Sequence, residues 1–198
     1  MQLKILLLNG PPRCGKDTAA KILADLIPGA WDYKLSKRLK EMTHGLYGVL
    51  ENYYGVWRIA SHDYFESRKD EPATELRGLT PRQAYIEVSE RYIKPVHGQG
   101  ALGAWLAADL LHNPPAFATI SDTGFRAEAL QIVAAFPGQV GLIRLHPVVG
   151  GVRRDKFSDS RGYIELPVPT ADVDSPIGDL VRFRKNLAAA LAQVLAPG

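Results

Sequence analysis

The chain has 198 residues, 46% hydrophobic and 23% charged, with a formal net charge of +3. This is ordinary globular composition, long enough to bury a core and expected as one domain, so a disordered or fibrous chain is excluded. The small positive excess falls short of a dedicated nucleic-acid binder while permitting an anionic substrate.

The longest apolar runs, such as Ile5 to Leu8 and Leu187 to Ala192, are far too short to span a bilayer. Gly10-Pro11-Pro12 ends the first of them before a signal-peptide layout could form. Cys14 is the single cysteine, which rules out an intrachain disulfide and fits a reducing, cytoplasmic setting.

In chain order, Leu3 to Leu8 predicts a buried strand of the parallel-sheet kind, and Asn9 to Gly15 a loop rich in glycine and proline. Lys16 to Ile27 has helical spacing, with Ala19, Ala20, Leu23 and Ile27 on one face, and Pro28-Gly29 stops it. Ala30 to Leu35 predicts a second short strand, and Ser36 caps a helix to about Leu50. Residues 51–79 mix aromatic and charged types without a period. Thr80-Pro81-Arg82-Gln83 combines a capping hydroxyl, proline at the first helical position and glutamine three residues after the cap, predicting helices over 81–94 and then 101–112. Ala116 to Ile120 predicts a strand, Arg126 to Phe136 a helix and Val140 to Leu145 another strand. Residues 146–162 hold tandem glycines and several basic residues and are expected as a mobile loop. Tyr163 to Val168 is expected as a last strand, with Ser175-Pro176 starting a final helix to about Leu195. Strands alternating with helices indicate an α/β fold with a mostly parallel sheet.

Gly10-Pro-Pro-Arg13-Cys14-Gly15-Lys16-Asp17-Thr18 matches G-x-x-x-x-G-K, with Asp17 where serine or threonine is usual. Glycines let backbone N–H groups turn inward around an anion, and the helix that follows points its positive end at the same spot. Lys16 is expected to reach the β- and γ-phosphates of ATP, Asp17 to meet Mg²⁺ directly or through water, and Thr18 to bond the α-phosphate. Cys14 occupies a variable loop position and is expected to be inert. Asp122, at the carboxyl end of the Phe117-Ala-Thr-Ile-Ser-Asp segment, can orient Mg²⁺ or serve as base toward an acceptor; the alternative is that it caps the next helix. The five histidines lack metal-ligand spacing and are expected to be structural. Trp31, Trp57 and Trp105 are expected in the core or as pocket walls, and Tyr53, Tyr54 and Trp57 could also stack a base.

With these motifs in hand, the chain resembles the phage-type deoxynucleoside monophosphate kinases of the nucleoside monophosphate kinase superfamily. The resemblance rests on the Gly-Lys-Asp-Thr loop, Leu35-Ser-Lys-Arg-Leu-Lys40, Lys69-Asp-Glu71, Thr80-Pro-Arg-Gln83, Ser121-Asp-Thr-Gly-Phe-Arg-Ala-Glu128 and Arg144 closing a strand. It implies a single P-loop kinase domain over 1–198, with an irregular acceptor-side insertion at about 51–112 and a lid loop at about 146–162. It further implies ATP and Mg²⁺ as cofactors, a deoxynucleotide acceptor and a cytoplasmic location, that of the host if the protein is phage-encoded; a homodimer is compatible with it. Catalytic roles fall on Lys16, Asp122 and Arg82. ATP contacts fall on Gly10, Arg13, Gly15, Lys16, Asp17, Thr18, Arg144, Arg153 and Arg154, and acceptor contacts on Lys40, Arg82, Gln83, Arg126 and Glu128. Arg91 and Arg161 are further candidates for neutralising phosphoryl charge. The chain departs from the family at Val88-Ser-Glu-Arg91, and at Gly124, where the family carries an arginine; Arg126, two residues on, is the candidate substitute. Gly124, the compact length and the basic balance also fit a related phage group that phosphorylates the hydroxymethyl group of 5-hydroxymethyluracil within DNA, where the base must be flipped out. A nucleotide-dependent switch is the third reading; it would need switch loops and a partner surface, neither of which has a signature here.

Overall fold

The computed structural model describes residues 4–157 and 161–196. The elements run β1 (Ile5–Asn9), α1 (Lys16–Leu26), β2 (Ala30–Tyr33), α2 (Ser36–Tyr47), β3 (Leu50–Tyr53), β4 (Val56–Ile59), α3 (Pro81–Val88), α4 (Lys94–His97) and α5 (Ala101–His112). They continue with β5 (Phe117–Ile120), α6 (Arg126–Ala135), β6 (Val140–Val149), β7 (Val152–Arg153), β8 (Thr170–Pro176) and α7 (Leu180–Leu195). The chain divides into two compact units, residues 1–34 with 103–198, and residues 35–102. Among the described residues no helix is long and apolar enough to cross a membrane.

The larger unit is an α/β sheet of six strands among the described residues, in the order β2-β5-β1-β6-β7, with β8 also paired to β6. β1 pairs parallel with β5 and β6, β2 with β5, and β8 with β6, while β7 turns back antiparallel. β1 is apolar from Ile5 to Leu8 because both faces of the sheet are covered by helices. Leu6 and Leu8 share a core with Leu23 of α1, Ile143, Leu145, Val173 and the Phe183, Leu187 and Leu191 stripe of α7. Each such fully buried leucine is worth about 1.5–3 kcal/mol. Where α5 crosses α6, a Cβ added at Gly103 would lie 2.0 Å from the Glu128 carbonyl oxygen, so only glycine fits there.

The C-terminal third of this unit departs from expectation. β6 runs on to Val149, and Gly150 and Gly151 (φ +58° and +81°) make the tight turn into β7, so the start of the expected mobile loop is a β-hairpin. Ser158 to Ser160, the centre of that expected loop, lie outside the described residues. Tyr163 to Val168 is not a strand: Pro167 and Pro169 lack the N–H that a ladder needs. The last strand is β8 instead, whose Ala171, Val173 and Ser175 point inward and alternate with Asp172 and Asp174. Ser175-Pro176 therefore ends a strand. α7 starts at Leu180, capped by Asp179, which accepts from the Arg182 N–H.

The smaller unit has its own core of Val49, Phe65, Ala73, Leu76 and Ala84, with Tyr47, Tyr64 and Leu79 packed against it. α2 stops at Tyr47, short of Leu50, because Gly48 adopts a left-handed cap (φ +69°). The stretch expected to be irregular contains the β3–β4 hairpin and two 3₁₀ turns, Glu66–Arg68 and Thr74–Leu76. The capping box predicted at Thr80 is present: its hydroxyl accepts from the Gln83 N–H at 3.2 Å and the Gln83 side chain accepts from the Thr80 N–H at 2.9 Å. The helix it starts continues through a π turn at Ser89–Ile93 into α4. His44 is buried, bonded to the Ala60 carbonyl and the Tyr85 hydroxyl at 2.9 Å each, and burial pushes its pKa down. That is a structural role, as expected.

Candidate active site

The glycine loop joins β1 to α1 inside the larger unit. A Cβ at Gly10 would sit 2.7 Å from both Cys14 Sγ and the Leu145 carbonyl oxygen, so the chain can turn there only without a side chain. Gly15 is left-handed (φ +91°) and caps α1 with no side-chain bond, leaving the first backbone N–H groups of the helix uncapped by any side chain. Ser175 of β8 supports the loop from behind, donating to the Cys14 carbonyl at 2.7 Å. Cys14 is buried and its thiol is pushed to higher pKa by that burial, as an inert cysteine requires. Lys16 Nζ donates to the carbonyls of Gly10 and Pro11, both at 2.8 Å. Burial lowers its pKa; Cys14 and Asp17 oppose the shift, and the positive charge of Arg161 adds to it.

A charge network closes the carboxyl ends of β2 and β5 beside α1. Lys34 forms ion pairs with Asp17 and, at 3.1 Å, with Asp32, and donates to the Ser121 hydroxyl. Ser121 in turn donates to Asp32 at 2.7 Å. Burial disfavours the Lys34 ammonium, but the hydrogen bond to Asp17 and the charges of Asp32, Asp17 and Asp122 more than offset it and hold the pKa above its usual value. Asp17 is open to solvent, its side chain 79% exposed. Asp122 is half-buried, and it does not cap α6: that helix starts at Arg126 with Phe125 at the cap and no side-chain bond. Asp32, Lys34, Ser121 and Ser175 stand beside the candidate site and were assigned no role from the sequence. Their signal, polar residues at the carboxyl ends of apolar strands, was present.

Asn9, the last residue of β1, is fully buried and ties three segments together. Its amide donates to the carbonyls of Thr123 (3.0 Å) and Gly162 (3.4 Å) and its oxygen accepts from the Ile164 N–H (3.1 Å). Arg126 bonds the Glu165 carbonyl at 3.0 Å, and Glu128, expected to meet an acceptor, is only 4% exposed in the first turn of α6. Arg144 forks Asp172 at 3.0 and 2.7 Å, and Arg153 pairs with Asp174 at 2.7 Å. Arg153 is thus pinned to β8 rather than carried on a mobile loop, while Arg154 is exposed. His146 lies between Asp155 (2.9 Å) and Asp172 (2.7 Å), and Tyr163 also donates to Asp155 (2.7 Å). Arg13 is exposed and left-handed (φ +64°) in the loop, and Thr18 follows Asp17 in the first turn of α1.

In the smaller unit the remaining candidates are engaged at its surface. Arg82 pairs with Asp70 at 2.6 Å, Lys40 with Glu66 at 2.9 Å and Arg91 with Glu87 at 2.8 Å, and the Gln83 side chain serves the capping box. Trp57 is 66% exposed on the hairpin, not in the core. Trp31 walls a surface depression with Tyr33 and residues 112–116.

No protein-family model matches the chain, and no curated protein matches it. Among solved structures, a gluconokinase from Sinorhizobium meliloti 1021 is similar at a TM-score of 0.50, across 97% of this chain and 93% of its own, at 14% identity. At that identity the likeness shows a shared fold and nothing further.

Proposed function

We propose that the protein is an ATP-dependent kinase that transfers a phosphoryl group to a deoxynucleotide-class acceptor, most simply a deoxynucleoside monophosphate to give the diphosphate. The observation that carries this reading is the loop itself: a left-handed Gly15, a helix start with no side-chain cap, and Lys16 held by two loop carbonyls. In the reaction, loop N–H groups donate to the β- and γ-phosphates and Lys16 exchanges its carbonyl partners for phosphate oxygens. The Thr18 hydroxyl bonds the α-phosphate. Mg²⁺ needs only one or two carboxylates alongside phosphate oxygens and water. The exposed carboxylate of Asp17, with Asp122 as the second, fits that demand, and among the described residues no group of three or more His, Cys, Asp or Glu forms a protein cage. When bound, the ion neutralises charge on the phosphates.

The role of Asp122 depends on the acceptor. A monophosphate attacks through an oxygen that is already anionic and needs no base, so Asp122 then serves the metal. A hydroxymethyl acceptor must lose a proton as the new P–O bond forms and the bond to ADP breaks, and Asp122 is the carboxylate we assign to take it.

One observation favours the second reading, phosphorylation of 5-hydroxymethyluracil in DNA. The β3–β4 hairpin exposes Tyr53, Tyr54 (90%) and Trp57, with the Arg58 guanidinium 3.9 Å from the Tyr53 ring centroid. Exposed aromatic rings with a cation suit base stacking. The test is ATP consumption against each deoxynucleoside monophosphate and against DNA with and without hydroxymethyluracil, at low and moderate salt. Turnover of a free monophosphate with a shallow salt dependence supports the first reading. Phosphate incorporated only into hydroxymethyluracil-containing DNA, with affinity falling steeply with salt, supports the second. Consumption with no acceptor in the panel overturns both.

A further inference from the structure

A G-x-x-x-x-G-K loop ordinarily continues into serine or threonine, which places a neutral hydroxyl beside the phosphates. Here Asp17 places a carboxylate there, in the first turn of α1 and directly after Lys16. The start of a helix favours that negative charge. A polyphosphate does not, because like charges a few ångströms apart repel even through water. A divalent ion arriving with the nucleotide cancels the charge of Asp17; nucleotide without the ion meets it in full.

The fold supplies a second source of cancellation. Lys34 Nζ pairs with Asp17, and groups other than Asp17 fix where that ammonium stands. It lies 3.1 Å from Asp32 and donates to the Ser121 hydroxyl. Asp32 in turn accepts from Ser121 at 2.7 Å and from Thr119 at 3.3 Å. β2 runs parallel to β5 with Tyr33 opposite Ile120, so Lys34 and Ser121 leave the two strands together at their carboxyl ends. The side chains of Lys34 and Asp32 are 29% and 28% exposed, against 79% for Asp17. The ammonium is therefore anchored on the sheet and reaches out to Asp17. So exposed a pair adds little to folding stability. What it changes is the electrostatic potential in front of the loop.

We propose that Lys34 is the charge-compensating partner of Asp17, so that the phosphate chain meets a neutral pair where the motif ordinarily offers a hydroxyl. This rests on the phosphoryl-transfer reading above. Lys34 is a positioning residue that acts on the nucleotide through Asp17, and Asp32 and Ser121 hold it in place. The compensation matters most for nucleotide without a divalent ion, because an ion at Asp17 performs the same cancellation. Asp17 is thereby free to serve Mg²⁺ without turning away nucleotide that comes alone.

The experiment is calorimetric titration of the full chain with ATP at low ionic strength, once with Mg²⁺ and once with EDTA, alongside thermal unfolding of every variant. If the wild type binds ATP in neither condition, the phosphoryl-transfer reading itself fails. If it binds only with Mg²⁺, that reading stands and the compensation is overturned. Given binding in both, Lys34→Met should weaken ATP by about 10-fold in EDTA and by no more than about threefold with Mg²⁺. Lys34→Arg, which keeps the charge, should stay within about threefold of wild type in both conditions. Asp17→Ser should bind ATP several-fold tighter in EDTA. Asp17→Ser combined with Lys34→Met should return to within about threefold of wild type, because both charges are gone. A merely structural Lys34 would give equal losses in the two conditions and no recovery in the double variant, and either result overturns the inference, as does wild-type affinity in Lys34→Met. Asp17 is exposed, so Asp17→Ser decides the matter even if Lys34→Met does not fold: metal-free ATP bound no tighter than by wild type means that the phosphates do not feel the charge Lys34 is proposed to cancel.

Discussion

Charged groups are arranged in opposite ways in the two compact units. Around the glycine loop they converge from remote parts of the chain and share partners: Lys34 serves Asp17, Asp32 and Ser121 at once, and Asn9 joins residues 123, 162 and 164. In the unit of residues 35–102 ion pairs form at the surface between residues near one another in sequence, as Arg91 with Glu87 and Lys69 with Glu66 do. Surface pairs of this kind are worth about 0–1 kcal/mol and separate readily for an anionic ligand. A shared, half-buried network does not, because removing one member strands the others. The larger unit is therefore built for fixed geometry and the smaller one for exchangeable charge, and substitutions should separate the two.

The largest effect is expected at the centre of the loop. Lys16→Ala should lower kcat by about 10²-fold or more while the protein stays folded, read from turnover and circular dichroism. Near-normal turnover would remove the loop from the mechanism. Asp122→Asn should also cut turnover, by about 10²-fold if the acceptor is a hydroxyl that must lose its proton, with thermal stability within about 1–2 kcal/mol. Loss of stability with specific activity retained would make Asp122 a structural residue.

Next is Gly103→Ala, which meets the backbone of Glu128 and no charged group of the glycine loop. Its Cβ would meet the backbone at Glu128, so denaturant unfolding should show a loss of about 1–3 kcal/mol from overpacking, with the specific activity of the folded fraction kept. An unchanged midpoint would mean that α5 and α6 can move apart freely.

The smaller unit should respond more gently. Arg82→Ala should raise the acceptor KM by about 10-fold with little change in the KM for ATP, and shift stability by no more than about 0.5 kcal/mol. Equal effects on both KM values would deny Arg82 an acceptor role. The smallest effect is pH-linked. Glu66 is held at a pKa of about 2, below its ordinary 4.5: burial pushes it up, but hydrogen bonds and charge from Lys69 and Lys40 pull it down further. Its folded-state pKa is lowered, so its contribution is present above pH 4.5 and fades as the pH falls toward 2. The acid-side drop in Tm should be shallower in Glu66→Gln than in wild type; identical profiles would mean that the Lys40–Glu66–Lys69 cluster contributes nothing to folding.

The sequence by itself determined whatever depends on neighbours along the chain. The strand-loop-helix of the phosphate loop follows from an apolar run, glycines and a helical period within residues 3–27. The capping box at Thr80 follows from four consecutive residues, and the buried strand ending at Ile120 and the first half of β6 from short apolar runs. The α/β fold with a mostly parallel sheet was legible from these pieces in their order. Tertiary structure alone decided what depends on partners distant in sequence. β8 reads as a polar, proline-flanked loop until β6 supplies its ladder and turns Ala171, Val173 and Ser175 inward. Arg153 reads as a mobile cation until Asp174 stands beside it. The division at residues 34 and 103 has no linker composition to announce it, because it follows from which side chains share a core. Asn9 reads as the polar end of a strand until the segments at 123, 162 and 164 come to its amide. Hydrogen bonds and shape complementarity act through space, so a periodicity along the chain carries no record of them.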